Sequence, residues 1–452
     1  MPDSPTTRTV RAEDVIRQIR DRDIRSIDLQ FTDVTGMIKT VSIDADHLPT
    51  ALSEGIWFDG SAVEGFARIA ESDMYLMPDL STFALMPWEG SHPDTGQTAR
   101  LLCDVFTPNR QPFAGDPRGA LKRVMQWADE MGVRYVIAPE LEFYLFQQSP
   151  NHQPLRSDDH ASYFDAADST ARLIRKRVCD ALRIMGIPVE STHHEVGGFP
   201  PELEFAPMDA LHPADAIITA RLAVRTIAQQ EGRFATFMPK PLTEAPGSGM
   251  HLHQWLRDIE SENNRFADPN DDYGMSAEAK MFLAGQLTHA REICAVIAPL
   301  VNSYKRLVAG LEAPIHVTWA QLNRRALLRV PRLTDGNTLG TRIEMRATDP
   351  SCNPYLALAV LLYAGLRGIR DTLALPPAAE EELYELSNRR RHLTTLPLAL
   401  DEALDEFESS ELAREALGLH LFERFLEAKR LEWQDYLHVV SPWEVNRYIN
   451  LY

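Results

Sequence analysis

Apolar and polar positions alternate with two different periods along the chain, and the period changes near residue 110. Ile27, Leu29 and Phe31 alternate with polar residues, and Gly36 interrupts before a second alternating run, Ile38–Asp44. A period of two with a glycine between the runs predicts a β-hairpin. A Gly-containing loop, Gly55–Phe66, and an apolar segment at Leu101–Phe106 follow. Together they predict a small strand-rich N-terminal domain of roughly 100 residues. Its boundary is expected in Thr107–Asp116, which holds Pro, Asn and Gly and little periodicity.

Beyond that boundary the pattern turns helical. Asp116-Pro117 reads as an N-cap followed by Pro at the first helical position, and Gly132 supplies the stop. Between them Leu121, Val124, Met125 and Ala128 form an apolar stripe. His212–Gly232, Ser276–Ala298 and Leu356–Ile369 are further predicted helices, and Leu400–Tyr452 is charged and helical in pattern. Short strand-like runs lie between the helices. The most apolar run, Tyr355–Leu366, is too short for a bilayer, which needs about 20 residues.

Four of the short runs carry polar residues two apart, so those side chains share a strand face. They are Glu140 with Glu142, Glu202 with Glu204, His251 with His253, and Arg342 with Glu344 and Arg346. Alone, a Glu-x-Glu strand is ordinarily a solvated sheet face and a His-x-His pair ordinarily structural. Several in one chain read differently. Carboxylates and imidazoles gathered around one cavity repel one another unless cations are present. An oxygen-rich set with one imidazole suits Mg²⁺ or Mn²⁺ better than structural zinc. Nearby arginines suit a transferring phosphoryl group. No P-loop is present, and Gly247–His253 lacks the third glycine of a dinucleotide fingerprint. A nucleotide would therefore be held by metals and arginines.

Composition narrows the partners. The 452 residues carry 46 Lys plus Arg against 65 Asp plus Glu, a formal charge of −19. That argues against nucleic acid or an anionic membrane as partner. No apolar signal segment leads the chain, and Cys103, Cys179, Cys294 and Cys352 are widely spaced. Both features predict a cytoplasmic protein with buried thiols.

Longer motifs carry a family resemblance over nearly the whole chain. They include Trp57–Phe66, Glu71–Leu80, Pro139–Phe146, His193–Val196, Ala235–Leu242, Gly247–His253, Asn302–Ile315, Asn323–Pro331 and Arg342–Leu356. The sequence resembles class I of the glutamine synthetase family, closest to its α subtype. The resemblance implies an α+β fold. A small N-terminal β-grasp domain (1–108) would precede a large catalytic domain (109–452) with a curved antiparallel half-barrel sheet flanked by helices. It also implies a homododecamer of two stacked hexameric rings with active sites shared between subunits.

The activity so implied is ATP-dependent activation of the γ-carboxylate of glutamate as γ-glutamyl phosphate, followed by amidation with ammonia. Two or three Mg²⁺ or Mn²⁺ ions per site are expected. One metal position resembles that of Glu142, Glu195 and Glu202, with Glu142 also beside the substrate; the other resembles that of Glu140, His251 and Glu344. Arg306 is similar to the clamp for the α-carboxylate of glutamate, and Gly247 to the residue whose carbonyl meets the substrate ammonium. Arg324 and Arg346 match the arginines on the γ-carboxylate. Arg329, His253 and Arg342 match positions that contact ATP. Asp59, donated by a neighbouring subunit, resembles the group that binds and deprotonates ammonium, with Tyr163 beside it and Glu312 on a closing flap. Arg68 matches a residue tied to glutamine feedback, whereas Tyr384 aligns with a modified tyrosine of the β subtype and reads here as a surface residue.

Three departures from the family pattern bear on the amine. Pro246 stands where Asn is usual before Gly-Ser-Gly-Met-His, Gly197–Glu202 lacks the usual Gly-Gln, and Ala62 replaces a serine after Asp59-Gly60. They leave open a γ-glutamyl-amine ligase that takes a small organic amine. Asp59, Tyr163, Glu195 and Glu312 together resemble a small cation pocket and favour ammonia. A non-catalytic ring protein is disfavoured, because every metal and arginine position is filled.

Overall fold

The computed structural model describes residues 10–63, 65, 73–89, 96–147, 169–194, 201–308, 313–333, 340–380 and 393–452. Arg68, Tyr163, Glu195, Glu312 and Tyr384 lie outside these residues, as does the departure at 197–200. The chain folds as two compact units. One comprises residues 1–237 and 353–358, the other 238–352 and 359–452.

In the first unit the expected hairpin forms. Strand Ile24–Thr32 pairs antiparallel with Ile38–Asp44 and parallel with Gln97–Phe106. Asp73–Pro78 and the edge strand Ile56–Asp59 complete the main path of a six-stranded mixed sheet, with Ala84–Leu85 off it. Its apolar alternates, Ile27, Leu29, Leu76, Leu101 and Val105, are buried with Leu48 of helix Leu48–Glu54 and Val15 of helix Ala12–Asp21. This is the β-grasp arrangement.

Helix Pro117–Glu130 begins at the cap expected from the sequence, the Asp116 carboxylate accepting from Arg118 N at 3.0 Å. Arg118 itself is 3% exposed and gathers acids from three segments. It donates to Asp79 and Asp104 at 2.7 Å and, through Nε and NH2, to Asp215 of helix Leu211–Gln230 at 3.1 Å. Tyr355 donates to the same Asp215 at 2.6 Å, and Asn353 donates to the carbonyls of Asp33 and Val34. A buried guanidinium demands such pairing. It also explains why the compact unit runs well past the N-terminal sheet.

The rest of the first unit contains strands Val133–Glu142, Pro201–Phe205 and Val189–His194, in that order and antiparallel. Helices Ser169–Ile184 and Leu211–Gln230 accompany them. In the second unit, strands run in the order His316–Ala320, Ala326–Arg329, Ile343–Met345, Met250–Asp258; the first pair is parallel and the others antiparallel.

Helix Ala277–Thr288 crosses residues 359–370 of helix Pro354–Arg370 at backbone contact. A Cβ on Gly285 would lie 2.2 Å from Ala364 O, and one on Gly368 would lie 2.1 Å from Met281 O. Gln286 then reaches Leu361 O at 3.0 Å and exchanges amide hydrogen bonds with Gln254 at 3.1 and 2.6 Å. Those bonds tie the back of strand Met250–Asp258 to the helix. The architecture is α+β: a β-grasp sheet, half-barrel strands and the helices that alternate with them along the chain.

Candidate active site

Strand pairing builds the first group of functional side chains. Glu142, Glu202 and His193 are opposite one another across three strands, and Glu140 is opposite Glu204. Directly paired residues share a face, and so do residues two apart. Glu140, Glu142, Glu202, Glu204 and His193 therefore occupy one face, while Leu141, Leu203 and Phe205 are buried on the other. Glu202 and Glu142 are themselves 3% and 7% exposed. The ring of His193 lies between two carboxylates, with Nε2 3.4 Å from Glu202 and Nδ1 3.4 Å from Glu204. Four carboxylates on a partly buried face need positive charge, since desolvation raises the cost of their mutual repulsion.

The second group lies in the other unit and is built the same way. His253, Glu344 and Arg329 are in register across three strands. His251, Arg342 and Arg346 sit two residues away and share their face. Glu344 is 1% exposed. Arg329 donates to its Oε2 at 3.0 Å, Arg346 donates to its Oε1, and His251 Nδ1 stands 3.8 Å from Oε1. Arg342 Nε donates to His253 Nδ1 at 3.1 Å. The Nε of Arg346 is buried with no hydrogen-bond partner. A buried carboxylate with an imidazole at its edge can ligate a divalent cation, and guanidinium groups beside it fit phosphoryl oxygens.

The third group is the loop before strand Met250–Asp258 together with Arg306. A Cβ at Gly247 would lie 2.6 Å from Pro239 O and 2.8 Å from Arg306 Cγ, so only glycine allows this approach. Arg306 is 5% exposed and donates to the carbonyls of Ala347 at 2.9 Å and Arg346 at 3.0 Å. Those bonds hold the Arg306 guanidinium against the strand end that carries Arg346. Lys240 and Asn302, to which the sequence reading gave no role, pin the loop. Asn302 accepts from Lys240 N at 2.7 Å and donates to Lys240 O at 3.1 Å, and the Lys240 ammonium donates to Ala245 O. Pro246 therefore follows a residue that is already anchored. The hydroxyls of Ser248 and Thr348 are buried there without hydrogen-bond partners.

Asp59 ends the edge strand Ile56–Asp59 and is exposed, as is Trp57 on the same face. Ser61 donates to Asp59 through Oγ at 2.7 Å and through N at 2.9 Å, and these bonds hold the carboxyl below its usual range. Asp59 is thus an anion at neutral pH and suited to a cation. Arg324 is exposed on the turn between strands His316–Ala320 and Ala326–Arg329. His193 and Glu204 carried no assignment from sequence. The signal for His193 was its position two residues before Glu195, but only strand register brings it opposite Glu202.

Comparison with known proteins gives a consistent result. The family pattern described as "Glutamine synthetase, beta-Grasp domain" matches residues 23–108, and that described as "Glutamine synthetase, catalytic domain" matches residues 114–448. A glutamine synthetase of Methanosarcina mazei is 44% identical over 444 residues, covering 97% of this chain and 98% of its own. One of Halobacterium salinarum is 46% identical over 441 residues, covering 96% of each chain. One of Thermotoga maritima is 42% identical, covering 97% and 99%. Among solved structures, a GmaS/ADP complex superposes with a TM-score of 0.87 at 28% identity, covering 97% of this chain and 99% of its own.

Proposed function

The chain belongs to the glutamine synthetase family, and on that premise we propose how its residues divide the work. The activity is that of a glutamate–ammonia ligase, which forms glutamine at the expense of ATP. An organic amine as the preferred substrate is not favoured, because relatives at 42–46% identity over nearly the full chain are glutamine synthetases.

A carboxylate is a poor electrophile, and ATP converts one of its oxygens into a phosphate leaving group. Two or three Mg²⁺ or Mn²⁺ ions, when bound, would neutralise the charge on the transferring phosphoryl oxygens. One cation would be held by Glu142, Glu195 and Glu202, and another by Glu140, His251 and Glu344. Arg329, Arg342 and His253 would contact the nucleotide; the related GmaS chain solved with ADP is in keeping with nucleotide binding. Arg306 would fix the α-carboxylate of glutamate and the Gly247 carbonyl its ammonium. Arg324 and Arg346 would hold the γ-carboxylate as it becomes γ-glutamyl phosphate. Asp59 of a neighbouring subunit would bind ammonium beside Tyr163 and take its proton. Glu312 would close the site against water. Arg68 is the candidate for glutamine feedback.

The observation that carries this reading is the in-register row His253, Glu344 and Arg329 with Arg346 on the same carboxylate. Such a row supports reading Glu344 as a cation ligand with nucleotide-contacting groups beside it on one sheet face. The test is rapid-quench trapping of γ-glutamyl phosphate in Glu344→Gln. Undiminished formation would contradict the assignment.

We propose further that the chain comprises a β-grasp domain, 1–108, and a catalytic domain, 109–452, and assembles as a dodecamer of stacked hexamers. The C-terminal helix Pro442–Tyr448 has a complete capping box, yet buries no residue. Leu437, Val440, Trp443, Ile449 and Leu451 are each more than 60% exposed. So short a helix is marginal alone, and so apolar an end calls for a covering partner, here a second copy. Among the described residues no helix is long and apolar enough to cross a membrane. None of the four cysteines is in a disulfide, in keeping with a cytoplasmic location.

A further inference from the structure

We propose that Glu380 is a positioning residue for phosphoryl transfer. Its carboxylate fixes the turn that carries Arg324 and, through one peptide group of that turn, fixes Arg329. The inference rests on the roles given to those two arginines above and adds a residue that acts through them.

Topology creates the need for such a residue. Strands His316–Ala320 and Ala326–Arg329 are parallel, with His316 beside Ala326 and Ala320 beside Arg329. Parallel neighbours are ordinarily joined by a crossover of about a dozen residues or more. Here five residues, 321–325, return the chain along the length of a strand. None of the five is buried, so no core contact holds the turn. Its backbone donors lie outside the strand ladders and need partners. Glu380 serves two of them. Its Oε1 accepts from Gln321 N at 2.7 Å and its Oε2 from Leu322 N at 3.0 Å. Bonds to an ionised carboxylate are the strong kind, and these two use both of its oxygens. The Asn323 side chain accepts from Arg325 N at 3.0 Å and donates to Ala379 O at 3.3 Å. The residues on each side of Arg324 are thus tied as well.

Glu380 is held in turn. Trp319 donates through Nε1 to Pro376 O at 2.7 Å, and Ala379 N donates to Trp319 O at 2.8 Å. Trp319 is buried and packs edge-on against Tyr273, with 4.9 Å between ring centroids. Segment 376–380 is therefore stitched to a strand that a buried indole anchors. One peptide group then links the carboxylate to the nucleotide side of the site. The amide between Gln321 and Leu322 donates its N–H to Glu380, while its C=O accepts from Arg329 Nε at 3.4 Å. An anion at the N–H end polarises the amide and makes its oxygen a better acceptor. Arg329 also donates to Glu344 through NH1 at 3.0 Å. Its guanidinium is fixed at two nitrogens, one of them by way of Glu380. A misplacement of about 1 Å in such a group can cost about a hundredfold in rate. Glu380 itself is exposed, so its removal opens no cavity in the core.

The test uses the full-length enzyme, with amide hydrogen exchange and rapid-quench measurement of γ-glutamyl phosphate. In Glu380→Ala we expect the Gln321 and Leu322 amides to exchange at least about tenfold faster. Phosphoryl transfer should slow by about ten- to a hundredfold. The KM for glutamate should stay within about twofold of wild type, because Arg306 and Gly247 are not on this turn. A merely stabilising residue would lower the thermal midpoint and leave the rate of the folded enzyme unchanged. That result overturns the proposal, as does unchanged exchange at both amides. In an Arg324→Ala/Arg329→Ala background, adding Glu380→Ala should slow the reaction less than about twofold further, and a full additional loss overturns action through these arginines. If Arg324→Ala and Arg329→Ala are each as fast as wild type, the arginine roles fail and this inference with them. If both are slow and Glu380→Ala is not, this inference alone fails.

Discussion

Glu344 is nearly inaccessible and engages Arg329 and Arg346 at once. Replacing it by Gln leaves two guanidinium groups facing a neutral amide and removes an anionic cation ligand. Phosphoryl transfer should fall by at least about a hundredfold, since a direct ligand should matter at least as much as an outer-shell partner. Rapid quench measures that loss, while size exclusion should show an intact assembly.

Asp116 gives a second prediction at the same scale. Burial, and then the nearby charge of Asp104, push its carboxyl up to about 6 from 3.8. The folded state thus binds this proton more tightly than the unfolded chain. Its contribution to stability is present below pH 4 and is lost as pH rises through about 6. By pH 7 the buried charge costs on the order of 3 kcal/mol. Asp116→Asn keeps a capping oxygen and removes this component, so its gain over wild type in urea midpoint should be larger at pH 7.5 than at pH 4.5. A gain independent of pH would contradict the assignment. At this scale the alternation rule told which of Glu140, Glu142, Glu202 and Glu204 share a strand face. It could not tell that His193 faces them, because pairing between distant segments is not written locally.

The elements that position the site depend on close approaches that side chains would forbid. A Cβ on Gly368 would sit 2.1 Å from Met281 O and 2.7 Å from Gly285 Cα. Gly368→Ala must separate the two helices, and with them the Gln286 amide that braces strand Met250–Asp258. A loss of about 1–3 kcal/mol is expected, the usual cost of overpacking. Thermal unfolding of the variant checks it, and an unchanged midpoint would contradict the crossing. Most elements were legible because caps and stops mark them, as Asp116-Pro117 and Gly132 do. The stretch Ser276–Ala298 was not fully legible. It reads as one helix but divides at His289 into Ala277–Thr288 and Ala290–Ile297. No Pro or Gly marks the break. Long-range bonds accompany it: Arg291 pairs with Glu402 and Glu406, and Glu292 accepts from Ser410.

For the whole molecule, the charge of −19 is not an even acidic coat. Part of it is the carboxylate face of Glu140, Glu142, Glu202 and Glu204, which the proposed cations would neutralise. Part is spent on buried arginines such as Arg118. The apolar C-terminal end was legible only as a helical pattern, since exposure is a property of the fold. Deleting residues 438–452 should lower the assembly mass, most directly to half, without unfolding the subunit. Multi-angle light scattering measures it, and an unchanged mass would contradict the proposed contact.

The central claim is that the chain joins ammonia to glutamate at the expense of ATP. Release of phosphate by the purified full-length protein tests it most directly, with glutamate, ATP, Mg²⁺ and ammonium each omitted in turn. The account predicts phosphate and glutamine in equal amounts only when all four are present, and no organic amine that exceeds ammonium in kcat/KM. Equal phosphate release without ammonium, or a better organic amine, would contradict it.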